Sequence, residues 1–280
     1  MKRGRLLLLL GCLLLAVTGC VVLSPEQRRE NARQLAATAG WQEIRLPTDA
    51  FVLAGFVPQP VGRNNKTLTI YIEGDGLAWL NGSTISPDPT PIHPIALQLA
   101  LRQAQGAVAY LARPCQYVGN EERRGCSRRY WTDRRFAPEV IKAANQAIDL
   151  LKERFGAQQL VLVGYSGGGA VAALAAARRH DVALLVTVAG NLDHQQWTKQ
   201  HQASPLTGSL NPADAWHDLQ GVPQLHFVGG RDTVVGRGVA EAFAARFPPD
   251  RRPEIRLLPD ADHVAGWVEQ WPALSAEWAK

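Results

Sequence analysis

Six short, nearly unbroken apolar runs recur in the second and later parts of the chain. They are LTIYIE (68–73), VAYLAR (108–113), LVLVG (160–164), ALLVTVAG (183–190), QLHFVGG (224–230) and IRLLP (255–259). A strand with one wet face alternates apolar and polar residues; a run without alternation is buried on both faces. Such strands need helices above and below them. Helix-compatible stretches fall at 95–103, 138–155, 168–179, 239–247 and 264–279. Strands interleaved with helices are joined by right-handed crossovers into a parallel sheet. Two further extended stretches, 42–47 and 51–58, follow one another without a helix, which predicts an antiparallel hairpin at one edge. The expectation is an α/β chain with a mostly parallel eight-stranded sheet and helices on both faces. Residues 191–219 interrupt the pattern with a polar, tryptophan-containing segment, the natural candidate for a small cap.

The 280 residues suffice for one large core. Their first twenty read MKRGRLLLLLGCLLLAVTGC: a basic start, an apolar run from Leu6 to Val17, then small residues. The run is too short to span a bilayer and fits a secretory signal peptide. Its end, Val17-Thr18-Gly19-Cys20, resembles a bacterial lipobox. That resemblance implies a leader over 1–19, a lipidated Cys20, and a tether with one short helix over 20–40. Several acyl chains together anchor stably where one does so only marginally. Valine at position 21, rather than aspartate, resembles the default sorting to the outer membrane, facing the periplasm. The formal charge is +5. Lys2, Arg3 and Arg5 lie in the leader and no acid precedes Glu26, so removing those three charges leaves +2 on the mature chain. That balance gives no sign of a nucleic-acid partner. Cys12 leaves with the leader, so Cys115 and Cys126 remain, in an export route that permits disulfides. They flank the polar loop QYVGNEERRG and are expected to form a bridge. Their spacing, without nearby histidines, does not fit zinc.

One stretch carries chemistry directly. In LVLVGYSGGGAVAALAAA, a buried strand stops at Gly164-Tyr165-Ser166-Gly167-Gly168 and an alanine-rich helix begins. A G-x-S-x-G sequence between strand and helix exposes a serine hydroxyl at a tight corner and surrounds it with helix-start N–H groups. A glycine-rich turn of this kind also suits a phosphate, but no lysine follows as in a P-loop. A nucleophilic serine needs a base, and the base an orienting acid. LHFVGGRDTVV puts Asp232 just past one buried strand; IRLLPDADHVAGW puts His263 in the loop after the next. Both arrive at the edge of the sheet where Ser166 sits. Asp193 is the substitute acid; Asp260 and Asp262 neighbour His263 and are expected to shape its loop. His93, His180, His194, His201, His217 and His226 lack this address, although His194 or His201 could line a lid.

An oxyanion needs two donors. The N–H of Gly167 is one candidate. The other is the N–H of Asp75, in the loop YIEGDGLAW (71–79) after the third strand. Two acids here would repel a developing negative charge. Glu73 is therefore expected to pair, with Arg113 as a candidate, and Asp75 to face away or meet a cationic substrate group.

Together the elbow, the acid loop and the histidine loop resemble the α/β-hydrolase superfamily over residues 41–280. YIEGDG with ARPCQ and CSRRYWTDRRF is similar to a group of bacterial members without a settled substrate. The resemblance implies a cofactor-free, metal-free serine hydrolase acting through an acyl-enzyme on a small ester or acyl substrate. A peptidase, an acyltransferase on the same residues, or a non-catalytic envelope scaffold remain alternatives. The sequence does not speak to oligomeric state. EERRGCSRRYWTDRR (121–135) holds six arginines with Tyr130 and Trp131. It reads as a solvated, internally paired loop packed by Trp131, or as a contact for anionic headgroups or an anionic substrate.

Overall fold

The computed structural model describes residues 23–62 and 65–279. The leader 1–19 and Cys20 lie outside the described residues. In chain order the elements are α1 (Pro25–Thr38), β1 (Trp41–Pro47), β2 (Val52–Pro58), β3 (Thr67–Ile72), α2 (Ile95–Arg102), β4 (Ala107–Leu111), α3 (Pro138–Phe155), β5 (Gln159–Tyr165) and α4 (Gly167–Ala176). Then come β6 (Val182–Val188), α5 (His194–Gln200), α6 (Trp216–Leu219), β7 (Gln224–Gly229), α7 (Arg237–Ala244), β8 (Glu254–Leu258) and α8 (Trp271–Ala276). The eight strands form one sheet in the order β1-β2-β4-β3-β5-β6-β7-β8. β1 and β2 make the antiparallel hairpin, and β2 meets β4 antiparallel. The six strands from β3 onward are mutually parallel. Their carboxyl ends therefore open on one edge.

The apolar runs are explained by what lies on each side. Leu68, Ile70, Ile72, Leu160 and Leu162 pack with residues of α3, α4 and α7 on one face. Tyr71, Val161 and Val163 pack with α1, α2 and α8 on the other. Successive strand residues point to opposite faces, so both parities must be apolar. Burying each large side chain contributes roughly 1.5–3 kcal/mol. α3 shows why its ends could be read from sequence. Pro138 occupies its first turn, and Gly156 ends it at φ 62°, a left-handed cap that glycine adopts without a Cβ clash.

Three segments differ from expectation. The 264–279 stretch is helical only as α8, because Gly266 turns the chain at φ +88° and Trp267 is pulled into the core beside Trp271. The segment expected as a tether with a short helix is instead a 14-residue helix docked on the sheet. Its Arg28 is 3% exposed and pairs with Asp88 at 3.8 Å; Arg29 and Arg123 share that carboxylate at 3.4 and 2.6 Å. One buried acid thus ties α1 to two loops beneath it. Within 191–219, α5 and α6 are joined by turns that pack mainly against the domain, so the segment forms a side wall of the cleft described below. Cys115 and Cys126 are bonded, with Cα atoms 5.7 Å apart. Among the described residues no helix is long and apolar enough to cross a membrane.

Candidate active site

β5 delivers Ser166 to the carboxyl edge of the sheet, and α4 starts at the next residue. Ser166 itself takes φ 51°, ψ −120°, an uncommon conformation for a non-glycine residue. Its N–H donates to the Val188 carbonyl at 2.9 Å, and its carbonyl accepts from Asn191 N–H at 3.0 Å. Both sides of the corner are thus pinned to the end of β6. The glycines around it serve less to bend the chain than to make room. A Cβ on Gly164 would lie 2.3 Å from the Gly168 carbonyl oxygen, and one on Gly168 would lie 2.2 Å from the Ile72 oxygen. The strain sits on the serine, and the glycines allow neighbouring backbones to close around it.

β7 and β8 bring the other two predicted side chains to this corner. His263 Nε2 lies 3.0 Å from Ser166 Oγ, and His263 Nδ1 lies 2.9 Å from Asp232 Oδ2. Asp232 is fixed from behind, since its Oδ1 accepts the N–H groups of Val234 and Val235, each at 2.8 Å. The histidine loop is held by Tyr165, whose hydroxyl donates to the His263 carbonyl at 2.8 Å, and by Asp262, which accepts from Val264 and Ala265 N–H. Asp260 pairs with Arg231. Asp193, the substitute acid, instead caps α5 by accepting from Gln195 and Gln196 N–H. With Asp232 on Nδ1 the imidazole has a proton to donate there, which leaves the Nε2 lone pair facing the hydroxyl.

The loop after β3 is clamped against this corner. Gly76 has φ +65°, and a Cβ there would fall 2.0 Å from the Pro89 carbonyl oxygen, so only glycine fits. Gln116 Nε2 donates to the Gly74 carbonyl at 2.9 Å. Asp75 lies directly over Gly167, where a Cβ would come 2.1 Å from Asp75 Oδ1. The N–H groups of Asp75 and Gly167 have no hydrogen-bond partner among the described residues. The expected pairing of Glu73 with Arg113 is not what forms. Arg113 Nη1 meets Asp75 Oδ1 at 3.2 Å, and Arg135 Nη1 meets Asp75 Oδ2 at 2.6 Å. Burial works to raise the Asp75 carboxyl, but the charges of Arg135 and Arg113 outweigh it and hold the pKa below the usual carboxylate value. Glu73 turns inward and accepts from Gly74 N–H at 2.9 Å and from the Tyr110 hydroxyl at 3.1 Å. Burial pushes its pKa up to about 7. Charge is spread differently along the loop than the sequence suggested, because Arg113 reaches the carboxylate with the shorter, less buried address.

Ser166, His263 and Asp75 open onto a cleft of about 370 Å³. Its walls include Leu77, Trp79, Ile92, Val234, Val235 and Val264, and its polar lining includes Arg135 and Asn191. Trp197 of α5 also lines it and donates from Nε1 to the Val234 carbonyl at 2.7 Å. Neither His194 nor His201 lines this cleft; exposed His93 does. Most of the arginine-rich loop is spent internally. Arg129 pairs with Asp133 and Arg134 with Glu139, while Trp131 Nε1 donates to the Ser86 carbonyl at 3.0 Å and packs the loop down. The roles of Arg135 and Trp197 had no motif to announce them. Among the described residues no group of three His, Cys, Asp or Glu side chains is placed to hold a metal ion.

No protein-family model and no curated protein sequence matches the chain. Solved structures do. An esterase of Pyrococcus furiosus superposes with a TM-score of 0.59 at 14% identity, covering 91% of this chain and 92% of that one. An α/β serine hydrolase of Xanthomonas campestris described as lacking a lid gives 0.53 at 13% identity, covering 85% and 95%. The acylaminoacyl peptidase of Pyrococcus horikoshii gives 0.58 at 12% identity, covering 84% of this chain but 40% of that one. The chain has the α/β-hydrolase fold.

Proposed function

We propose that this chain is a serine hydrolase that cleaves a small carboxylic ester through an acyl-enzyme. The observation that carries this reading is the hydrogen-bonded chain from Ser166 Oγ through His263 to Asp232, with contacts of 3.0 and 2.9 Å. Ser166 Oγ attacks the ester carbonyl while His263 Nε2 takes its proton. Asp232 holds the imidazole in the required tautomer and stabilises the cation. The tetrahedral oxyanion is held by the N–H groups of Gly167 and Asp75, two unpartnered donors on residues in contact. Collapse expels the alcohol, which takes the proton from His263. Water then attacks the acyl-enzyme with His263 again as base, releasing the acid and restoring the serine. No step calls for a cofactor.

The acids beside the oxyanion position are compatible with this chemistry because neither is an open negative charge. Asp75 is matched by two guanidiniums, and Glu73 is buried and raised toward neutrality. Among the described residues that line the cleft, the same facts leave no open carboxylate for a substrate amine, the feature that would have favoured an aminopeptidase. Apolar walls and a volume near 370 Å³ suit a short acyl or alcohol group.

The reading includes an address. Lipidated Cys20 tethers the chain to the bacterial envelope, at the outer membrane facing the periplasm, where the Cys115–Cys126 bridge persists. What supports it is the leader pattern ending at Cys20 and the two remaining cysteines brought together. Replacing Cys20 by serine should move the protein from the detergent phase to the aqueous phase; continued partition into detergent would contradict the anchor. The hydrolytic reading is tested with 4-nitrophenyl esters of graded chain length. Wild type should turn over the short esters, with Ser166→Ala and His263→Ala at background and Asp232→Asn reduced by about four orders of magnitude. Undiminished turnover in Ser166→Ala would overturn it.

A further inference from the structure

We infer that the cleft is built for an ester that carries a carboxylate, seated on the guanidinium of Arg135; the inference rests on the hydrolytic reading above. Two arginines, Arg113 and Arg135, are 4% and 7% exposed and share a single carboxylate, that of Asp75. Arg113 does not line the cleft: its Nη1 goes to Asp75 and its Nη2 to the Arg135 carbonyl, and its buried Nε has no partner among the described residues. Arg135 is only partly consumed. Its Nε donates to the Thr132 carbonyl at 2.7 Å and its Nη1 to Asp75 at 2.6 Å, while Nη2 has no partner among the described residues. The Trp197 ring lies against the guanidinium, 5.9 Å from its carbon to the ring centroid. Arg135 and Trp197 both line the cleft that holds Ser166 and His263.

Arg135 is the one guanidinium in the lining of this small, largely apolar site, and the carboxylate it meets there, Asp75, is shared with Arg113 behind the wall. Glu73, the other acid in the lining, forms no ion pair with either arginine and is turned to Gly74 and Tyr110. A cation withdrawn from water without a counter-charge is costly, and an anionic ligand removes the cost. A guanidinium edge presents paired donors that match a carboxylate better than any neutral group. Asn191 lies in the same cleft and is 3% exposed, and the Oδ1 of its carboxamide, an acceptor, has no hydrogen-bond partner among the described residues, so the carboxylate contact falls to Arg135 alone. One unpartnered guanidinium nitrogen and a site of about 370 Å³ fit a half-ester of a short dicarboxylic acid rather than a polyanion.

The test compares matched substrates and matched ligands. Monoaryl esters of glutaric and adipic acid, corrected for spontaneous hydrolysis, are set against their methyl-capped neutral counterparts. Wild type should show at least a tenfold higher kcat/KM for the anionic member. Arg135→Gln should abolish that preference, kcat/KM falling at least tenfold further for the anionic ester than for its neutral counterpart, and Arg135→Lys should restore part of it. Calorimetry on Ser166→Ala gives a readout independent of turnover: monomethyl glutarate should bind at least tenfold more tightly than dimethyl glutarate. Equal treatment of charged and neutral esters, or equal binding of the two glutarates, overturns the inference. So does an Arg135→Gln variant that loses both substrates alike, since the arginine then serves the oxyanion and not the ligand. Should that variant fail to fold, the wild-type ratio and the calorimetry decide. Turnover of neutral esters without anionic preference removes only the carboxylate site; preferential glutarate binding without any turnover removes only the hydrolytic reading.

Discussion

Replacing Glu73 by glutamine should stabilise the protein in alkaline solution and leave it nearly unchanged in mild acid. Glu73 is 1% exposed. Burial pushes its pKa from 4.5 to about 7, against the smaller opposing pull of the Gly74 and Ala96 N–H groups and the Tyr110 hydroxyl. The folded chain therefore keeps a proton that the unfolded chain has already lost. Stability must fall as pH rises from about 4.5 to about 7 and then level off. At 1.36 kcal/mol per pH unit the span corresponds to about 3 kcal/mol. Glutamine has the shape and hydrogen-bonding capacity of the protonated acid but nothing to ionise. Urea unfolding of both proteins at about pH 4.5 and pH 8.5 measures the effect, because every other titrating group is shared. The glutamine variant should gain about 3 kcal/mol on wild type between the two conditions. A difference between the proteins that does not change with pH would refute the reasoning and mean that Glu73 titrates as a solvated carboxylate in the fold.

Three other perturbations probe the framework. Gly168→Ala sets a Cβ 2.2 Å from the Ile72 oxygen and 2.4 Å from the Glu73 oxygen; neither backbone atom can yield, so the variant should lose about 3 kcal/mol or more and, on the proposed hydrolytic function, its turnover of esters. Gly82→Ala, with nothing within 4 Å, is the control and should unfold like wild type; equal behaviour of the two would contradict the crowding argument. Asp88→Asn strands Arg28 without its counter-charge, and chemical denaturation should show a loss of about 3–5 kcal/mol; a loss under 1 kcal/mol would mean that the carbonyls around Arg28 suffice. Reduction of the Cys115–Cys126 bridge, which closes a loop of sequence separation 11, should cost about 3 kcal/mol. An unfolding midpoint indifferent to dithiothreitol would count against a bridge in solution.

The sheet was legible because its strands are buried on both faces. LVLVG and ALLVTVAG have no polar parity to hide, and their boundaries fall within a residue or two of β5 and β6. The positions of Ser166, Asp232 and His263 were legible for the same reason, since each follows a strand that the pattern located. What failed had no periodic signal. SPEQRRENARQLAATAG was read as a tether with one short helix, and its full length and docking were not legible because its buried face is two alanines and an arginine, Ala32, Ala36 and Arg28; the distant Asp88 meets that arginine. The last helix was drawn too long because Gly266 lies inside an otherwise helical pattern yet turns the chain at φ +88°, where a Cβ would meet Ala261 at 2.9 Å. Glu73 and Asp75 are two residues apart, so composition could not say which would meet Arg113. Arg135 was read with five other arginines as part of a charged loop, and nothing local distinguishes it from Arg134, whose partner is Glu139. That distinction comes from tertiary contact with Asp75, 60 residues away.

The central claim is that the hydroxyl of Ser166 is a nucleophile activated by His263 and Asp232. The folded protein should be treated with a fluorophosphonate and its peptides weighed by mass spectrometry. A single adduct is expected on the Gly164–Gly168 segment at Ser166, abolished by heat unfolding before treatment and lost in His263→Ala. An unmodified Ser166 in the folded protein, or labelling that proceeds equally without the imidazole, would contradict it.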